Sequence, residues 1–193
     1  MNTDIIQKHN KLYDEAYSLL KGLVHLDGNP EPSIGFFAKR KLNRSIKLFR
    51  EVLEINPKNW AASVFTAKAY QSLGNNELAL NSLMVAWEHC DGNPSVAKEI
   101  GMTAGQLGRH DVVISVLRPL CEHGNNDAGL LINFGLSLLF TGMLDSAKAQ
   151  FESAMKVEPN NPMNVKLVKT TDMIIEKGLK HPANERELLL LLG

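Results

Sequence analysis

Apolar residues recur along this chain at helical spacing, in stretches of about a dozen residues separated by glycine, proline and polar residues. The stretch GLLINFGLSLLF at 129–140 ends just before Gly142, and an amphipathic stretch follows through Phe151 to Pro159. Apolar positions three or four residues apart predict an α-helix, and a glycine after the last predicts its end. The pattern therefore predicts two helices joined by a short turn. Asp145 and Asp111 are expected to cap the second helices of their units.

This helix pair returns with a period of 34 residues. The same shift relates three sets of residues: Gly74, Gly108 and Gly142; Ala67, Gly101 and Gly135; Leu83, Leu117 and Phe151. No residue is inserted or deleted from Pro57 to Pro162. A fixed period of this length predicts an array of helical repeats. The small residues of the second set are expected where two helices cross closely, because a larger side chain would hold them apart.

These residues resemble the tetratricopeptide repeat family, whose 34-residue helix–turn–helix unit has small residues at its eighth, twentieth and twenty-seventh positions. The resemblance implies an all-α fold, an α-solenoid of about four repeats with a C-terminal capping helix pair. Taking Trp60, Pro94 and Ala128 as first positions, we predict one domain with repeats at 10–59, 60–93, 94–127 and 128–161 and a cap at 162–193. The large aromatic residue usual at the family's fourth position is replaced by Ser63, Ala97 and Leu131.

The first repeat departs from the period because it contains an insertion around 27–38. Its first helix is expected within 10–26 with Ala16 as the small residue, and DGNPEPS at 27–33 has the composition of a loop. The next helix is expected to begin near Phe36, with one apolar face and one charged face. The apolar face consists of Leu42, Ile46, Phe49 and Leu53, and the charged face of Arg40, Arg44, Lys47 and Glu51. An anionic partner could bind the charged face, but a solvated face is the favoured interpretation.

Two further features stand out in the later repeats. Pro119 lies where a helix interior is expected, and it predicts a kink or break near Arg118. The segment Leu188–Leu192 consists of five leucines that wrap more than one helical turn, so no single interface can bury them all. An end cap with some exposed leucine is the favoured interpretation. The alternatives are a homodimer through this segment or continuation into another domain.

Composition and charge exclude several classes of function. The chain has 193 residues, 44% of them apolar, and 21 basic residues balance 21 acidic ones. Zero net charge removes the general attraction to nucleic acid or membranes, so neither partner is expected, although a local patch could still act. The N-terminus lacks a signal-peptide core, no apolar run is long enough for a membrane span, and two cysteines make no disulfide framework. We therefore expect a cytoplasmic protein.

The sequence shows no catalytic or cofactor motif. It contains no phosphate-binding glycine loop, nucleophile elbow or HExxH, so we predict that it is not an enzyme and takes no cofactor. The best metal candidate is a set of four residues, namely His89, Cys90, Cys121 and His123. Equivalent helices lie about 8–10 Å apart, too far for these ligands to converge to about 2 Å from zinc. Buried thiols and surface histidines are favoured, so no metal site is predicted.

In the family that this chain resembles, certain first-helix positions face a concave groove that binds peptides. The resemblance places eleven residues there: Val64, Phe65, Lys68, Lys98, Met102, Gln106, Ile132, Asn133, Leu136, Phe140 and Lys166. Tyr13 and Tyr17 would join them if the first helix has the assumed register. The three lysines lead us to expect a segment with apolar anchors and some acidic residues. A clamp for doubly charged C-termini is rejected, because only Lys98 and Asn133 match its five positions.

The function expected from these features is a non-enzymatic scaffold that binds a protein or peptide partner. One alternative is a small secretion-type chaperone or immunity-like partner protein, since such proteins have a similar size and number of repeats. Another is that the chain is a tetratricopeptide targeting module of a larger enzyme.

Overall fold

The computed structural model describes residues 3–24, 34–124 and 127–192. These ranges contain helices and no strand. The helices are α1 (Thr3–Leu20), α2 (Phe36–Ile55), α3 (Trp60–Ser72), α4 (Asn76–Trp87), α5 (Pro94–Gln106), α6 (His110–Glu122), α7 (Ala128–Phe140), α8 (Leu144–Val157), α9 (Pro162–Lys177) and α10 (Glu185–Leu192). The chain forms two compact units, Met1–Glu99 and Ile100–Gly193, and the prediction of one domain stays a prediction.

The first helices of successive pairs begin one period apart. Helices α3, α5, α7 and α9 start at residues 60, 94, 128 and 162. The side chain of Asp127 accepts a hydrogen bond from the Leu130 N–H and caps α7. After α7 the chain turns at Gly142, whose φ of 80° lies in the left-handed region that glycine adopts without strain. The turn predicted between the two helices of this repeat is confirmed.

The predicted caps of the second helices are wrong. Helix α8 begins after Met143 and α6 after Arg109, and neither side chain makes a capping hydrogen bond. Asp145 and Asp111 lie inside the first turn instead. There they face the positive end of the helix dipole, which a carboxylate stabilises without capping geometry.

Within the first unit, α1 and α2 cross at small residues. Ala16 is fully buried, and the Ser45 hydroxyl donates a hydrogen bond of 2.9 Å to the Ala16 carbonyl. Helix α2 begins at Phe36 as predicted, whereas the predicted loop at 27–33 lies outside the described residues. The two-faced pattern of α2 is confirmed. Leu42, Ile46 and Phe49 are buried, Leu53 is half-buried, and Arg40, Arg44, Lys47 and Glu51 are exposed.

Within the second unit, the crossing of α7 and α8 is tighter still. A Cβ atom built on Gly135 would lie 2.6 Å from Cε1 of Phe151, which is fully buried. At Gly101 the corresponding distance, to Cδ1 of Leu117, is 3.0 Å. At Gly135 a Cβ would overlap the Phe151 ring, whereas at Gly101 it would be in tight contact with the flexible end of Leu117. A small residue therefore suits both positions, as the repeat pattern predicts.

Of the kink or break predicted near Arg118, the break is wrong, since α6 continues from His110 to Glu122 through Pro119, and the kink stays a prediction. Pro119 is exposed and lies close to the helix end, so its ring points to solvent and only one backbone donor is lost. The hydrogen-bond ladder continues beyond it, because the His123 N–H donates to the Pro119 carbonyl at 3.1 Å.

The cap consists of α9, packed on α8, and the short helix α10. The Asn184 side chain accepts a hydrogen bond of 3.0 Å from the Glu187 N–H and starts α10. Leu188 is buried, whereas Leu189 and Leu190 are 64% and 79% exposed. The leucine segment is therefore only partly covered, as its helical periodicity requires. No helix in the described ranges combines the length and apolarity needed to cross a membrane.

Candidate functional site

The second unit contains a cavity of about 200 Å³ between α5 and α7. The start of α6 forms one side of it and the start of α10 another. Its lining consists of Gly101, Met102, Gly105, Gln106, His110, Asn133, Leu136, Ser137, Phe140 and Glu185. Five of these residues, namely Met102, Gln106, Asn133, Leu136 and Phe140, belong to the predicted groove. The structure thus brings together five of the seven groove residues predicted within this unit.

The apolar part of the cavity comes from Met102, Leu136 and Phe140. Phe140 is buried, while Met102 and Leu136 are half-buried, so their side chains remain accessible from the cavity. Small-molecule sites usually measure about 300–1,000 Å³, whereas an apolar cavity of about 150 Å³ can hold a benzene ring. The size therefore suits one or two side chains of a larger ligand.

His110 supplies most of the polar character at the α6 side. Its Nδ1 lies 3.3 Å from the Ser137 hydroxyl, and its ring centroid lies 5.2 Å from that of Phe140. Burial lowers the pKa of His110 below its ordinary value of 6.5, although the nearby charge of Asp111 acts in the opposite direction. The imidazole is therefore neutral at pH 7 and can exchange hydrogen bonds with Ser137 or with a ligand.

Glu185 reaches the cavity from the cap. The chain turns back after α9 at Gly178, which has a φ of 61°, and α10 begins with Glu185. His181, in the same connection, lies against the turn after α7, since a Cβ on Gly142 would be 3.0 Å from its Nε2. Among the described residues that line the cavity, Glu185 is the one carboxylate. Its charge favours a cationic or hydrogen-bond-donating group beside the apolar walls.

Lys68, predicted to face a ligand, lies in the interior of the first unit. Its side chain is 3% exposed, and its Nζ lies 2.5 Å from Oε1 of Glu99. This burial contradicts the prediction that Lys68 faces a ligand in an open groove. The physical reason is pairing, because a lysine becomes this buried only where an opposite charge compensates for the lost hydration. An ammonium held in this way cannot attract an acidic ligand.

The other groove residues predicted in the first unit lie elsewhere within it. Val64, Phe65 and Lys98 are half-buried. The Phe65 ring packs against Tyr17 at 5.0 Å and stacks on Phe49 at 5.8 Å, so part of it belongs to an aromatic cluster. Tyr13 joins the same cluster, with its ring 6.3 Å from that of Phe65. Participation of these residues in ligand binding stays a prediction.

Two predicted groove residues of the second unit do not line the cavity. Ile132 is half-buried on α7, and Lys166 is exposed on α9. Five lining residues were absent from the prediction: Gly101, Gly105, His110, Ser137 and Glu185. Helical spacing could have identified Ser137, which is four residues after Asn133 and three before Phe140. No repeat position could have identified Glu185, because α10 is outside the uninterrupted repeats.

The four candidate metal ligands differ in their surroundings, and His89 is half-buried. Cys90 is buried, and partial burial raises the pKa of Cys121 to about 11. His123 is exposed, with its Nδ1 2.5 Å from the Pro119 carbonyl oxygen. In the described ranges no three residues among His, Cys, Asp and Glu come close enough to hold a metal ion together. The raised pKa keeps the Cys121 thiol protonated at neutral pH, and the expectation that these residues bind no metal stays a prediction.

Comparison with known proteins gives one family match and several structural neighbours. The tetratricopeptide repeat model matches residues 128–161. A MamA protein structure superposes with a TM-score of 0.71 at 14% identity, over 96% of this chain and 90% of that chain. A tetratricopeptide repeat protein from Parabacteroides merdae gives 0.68 at 14%, over 96% of this chain and 66% of that chain. No curated protein matches.

A third neighbour is YrrB, described as a TPR protein with an unusual peptide-binding site. It superposes with a TM-score of 0.63 at 20% identity, over 79% of this chain and 75% of that chain. Identities this low show the fold alone. Together with the match at 128–161, the neighbours confirm the predicted resemblance and the α-solenoid class of helical repeats.

Proposed function

We propose that this chain, a tetratricopeptide repeat protein, is a scaffold whose second unit binds a peptide or helical segment of a protein partner. Tetratricopeptide repeats support protein–protein interaction, and the comparisons indicate no catalytic family. One observation carries the finer proposal. The cavity of the second unit gathers five of the residues that the family resemblance places in the groove.

The proposed ligand inserts one apolar side chain between Met102, Leu136 and Phe140. Transfer of an apolar side chain from water gains about 25 cal/mol for each Å² that is buried. A single anchor of this kind gives modest affinity, so the remaining contacts must come from the ligand backbone and its neighbouring side chains. Asn133 and Gln106 offer amide groups of the type that hydrogen-bond an extended or helical peptide backbone.

The charge preference of the ligand is revised from the one expected from the sequence. Lys68 forms an ion pair with Glu99, whereas Glu185 lines the cavity. We therefore propose that the residue beside the apolar anchor is basic, or donates hydrogen bonds to Glu185. The carboxylate is exposed, so it contributes more to selection among ligands than to affinity.

A random peptide library displayed on phage tests this proposal, because it presents many candidate ligand sequences to the chain at once. The purified chain is expected to select peptides with one large apolar residue next to lysine or arginine. Selection by the Glu185→Lys variant should shift that neighbour toward aspartate or glutamate, whereas Glu185→Gln should remove the charge preference. Peptides with the same preference from all three proteins would show that Glu185 does not contact the ligand.

The apolar anchor is tested with the double variant Met102→Glu and Leu136→Glu, measured by fluorescence anisotropy against the selected peptide. Affinity should fall at least about tenfold, because two carboxylates would line the apolar walls. The matched control is Val157→Glu with Ile175→Glu, which adds the same charge at residues that are 41% and 37% exposed. Circular dichroism must show both variants folded. A folded double variant with unchanged affinity would place the site elsewhere.

A further inference from the structure

The N-terminus of α2 exposes two adjacent aromatic side chains. Phe36 and Phe37 are 75% and 78% exposed, and their ring centroids are 5.7 Å apart with planes at 78°. A phenylalanine usually packs into a core, and single exposed apolar residues are common. Two adjacent rings with this exposure form a contiguous apolar patch, which is typical of a surface that meets another apolar phase or partner.

Basic residues surround this patch. From Phe36 to Lys47 the helix carries five cations and no acidic residue, namely Lys39, Arg40, Lys41, Arg44 and Lys47. All five are exposed, and one of them, Arg44, forms an ion pair with Glu15 of α1. The chain as a whole has no net charge, so this excess is a local property of α2. It gives the exposed side of the helix a positive potential.

The rings and three of the cations point in one direction. At about 100° per residue, Phe36, Phe37, Arg40, Arg44 and Lys47 fall within an arc of about 100°. The acidic residue Glu51 falls in the same arc one turn after Lys47, so the cations lie at the end of the face next to the rings. The opposite side of α2 holds Leu42, Ile46 and Phe49, which are buried against the rest of the first unit. We call these five outward residues the aromatic–basic face of α2.

We propose that the aromatic–basic face of α2 binds the surface of a lipid bilayer that contains anionic lipids. Aromatic rings favour the interfacial layer of a bilayer, and lysine or arginine side chains pair with lipid phosphates. The two groups occupy neighbouring parts of one helix face, so a flat anionic surface can contact both at once. The contact adds a membrane-surface interaction to the proposed scaffold and is independent of the cavity in the second unit.

The arrangement of the rings favours lipid over nucleic acid. Proteins that bind single-stranded nucleic acid use aromatic faces as stacking platforms for successive bases along a basic groove. Here the two rings meet edge to face at one end of the helix, so the edge of one covers part of the other. Insertion into an apolar layer needs exposed ring area and no stacking geometry.

Sedimentation with lipid vesicles tests the proposal on the full chain. Vesicles of phosphatidylcholine with phosphatidylglycerol should bind the protein, and pure phosphatidylcholine vesicles should bind it at least about tenfold more weakly. Raising the salt from about 0.1 M to about 1 M shortens the screening length from about 10 Å to about 3 Å and should weaken binding. Equal binding to the two kinds of vesicle, or no binding to either, overturns the proposal.

Two variants locate the contact on α2. Replacing the rings (Phe36→Ser with Phe37→Ser) should weaken vesicle binding at least about tenfold. Replacing the cations (Arg40→Gln, Arg44→Gln and Lys47→Gln) should also weaken vesicle binding, by about fivefold for each charge that is removed. The control for the rings is Leu189→Ser with Leu190→Ser, which are also exposed. The control for the cations is a triple substitution to glutamine at the exposed residues Lys156, Lys169 and Lys177.

Both control proteins should bind vesicles like the unmodified chain. If either α2 variant binds as strongly as the unmodified chain, the proposal is wrong. A fluorescent single-stranded RNA and the oligomeric state are measured in parallel. If the unmodified chain does not bind anionic vesicles but binds RNA, and the α2 variants lose this RNA binding, the face belongs to a nucleic-acid site. If instead it self-associates and the α2 variants do not, the face contacts a second copy of the chain.

Discussion

The overlap between Gly135 and Phe151 predicts that Gly135→Ala destabilises the protein, although alanine is the better helix former. In a helix interior, alanine is favoured over glycine by about 0.8–1.0 kcal/mol. The new Cβ would lie 2.6 Å and 2.8 Å from two atoms of the Phe151 ring, which is fully buried and has little room to move. Overpacking of this kind costs about 1–3 kcal/mol. The net loss should be about 0–2 kcal/mol, and Gly135→Leu should lose more.

The second unit offers a matched control for the helix-propensity contribution. Gly105 also lies in a helix, and a Cβ built on it meets no atom within 4 Å. Gly105→Ala should therefore stabilise the protein by up to about 1 kcal/mol. The difference in stability between the two alanine variants measures the overlap, expected at about 1–3 kcal/mol. Gly101→Ala should fall between them, because its Cβ would lie 3.0 Å from Leu117.

Urea unfolding followed by circular dichroism gives the free energy of unfolding for each variant, together with the m value that checks for an unchanged transition. The substitution Phe151→Leu removes the ring atom nearest to Gly135. In that background, Gly135→Ala should destabilise less, because Cε1 is absent while leucine still has Cδ atoms near Gly135. A double-mutant cycle expresses the difference as a coupling energy between residues 135 and 151. The reasoning would be refuted if Gly135→Ala were as stable as Gly105→Ala in the unmodified background.

Three other predictions concern buried or half-buried polar groups. Glu99→Gln should destabilise the protein by about 3–5 kcal/mol in urea unfolding, because the buried Lys68 ammonium loses its counter-charge. Adding Lys68→Met should recover part of the loss. Equal stability of Glu99→Gln and the unmodified chain would contradict the pairing. The pKa of His110 is lowered in the folded protein, so the unfolded state binds more protons at acidic pH. The free energy of unfolding should therefore fall as the pH drops below about 6.5. A His110→Gln variant with the same pH dependence would exclude His110 as its source. With its pKa raised to about 11, Cys121 should react with iodoacetamide at pH 8 at least about tenfold more slowly than free cysteine, and mass spectrometry showing equal rates would contradict its protonated state.

The helices and their crossings were predictable from the sequence because they depend on periodic, local features. Apolar spacing set the extent of α7, and the recurrence of small residues located the contact that Gly135 makes with Phe151. These properties repeat every 34 residues, so each copy supports the interpretation of the others. The outward cations of α2 followed in the same way from the angle between successive residues.

The features that could not be predicted depend on contacts between distant residues. The burial of Lys68 requires Glu99, which lies in the next first helix, and the sequence alone suggests two solvated charges. Glu185 reaches the cavity only because the chain reverses after Gly178, in a connection that belongs to no repeat. Met143 precedes the first residue of α8 and makes no capping hydrogen bond, so the preference for aspartate as a cap pointed to the wrong residue.

The position of Glu185 limits how this protein can evolve. Repeat arrays commonly grow or shrink by duplication and loss of whole units, because each unit contacts only its neighbours. Here α10, which lies outside the uninterrupted repeats, forms one side of a cavity between α5 and α7. Inserting one more repeat between residues 161 and 162 would leave both helices intact but carry Glu185 away from them. Under the proposed function, array length and ligand selection are thereby linked, and a lineage that gained a repeat would have to rebuild that side of the cavity from other residues.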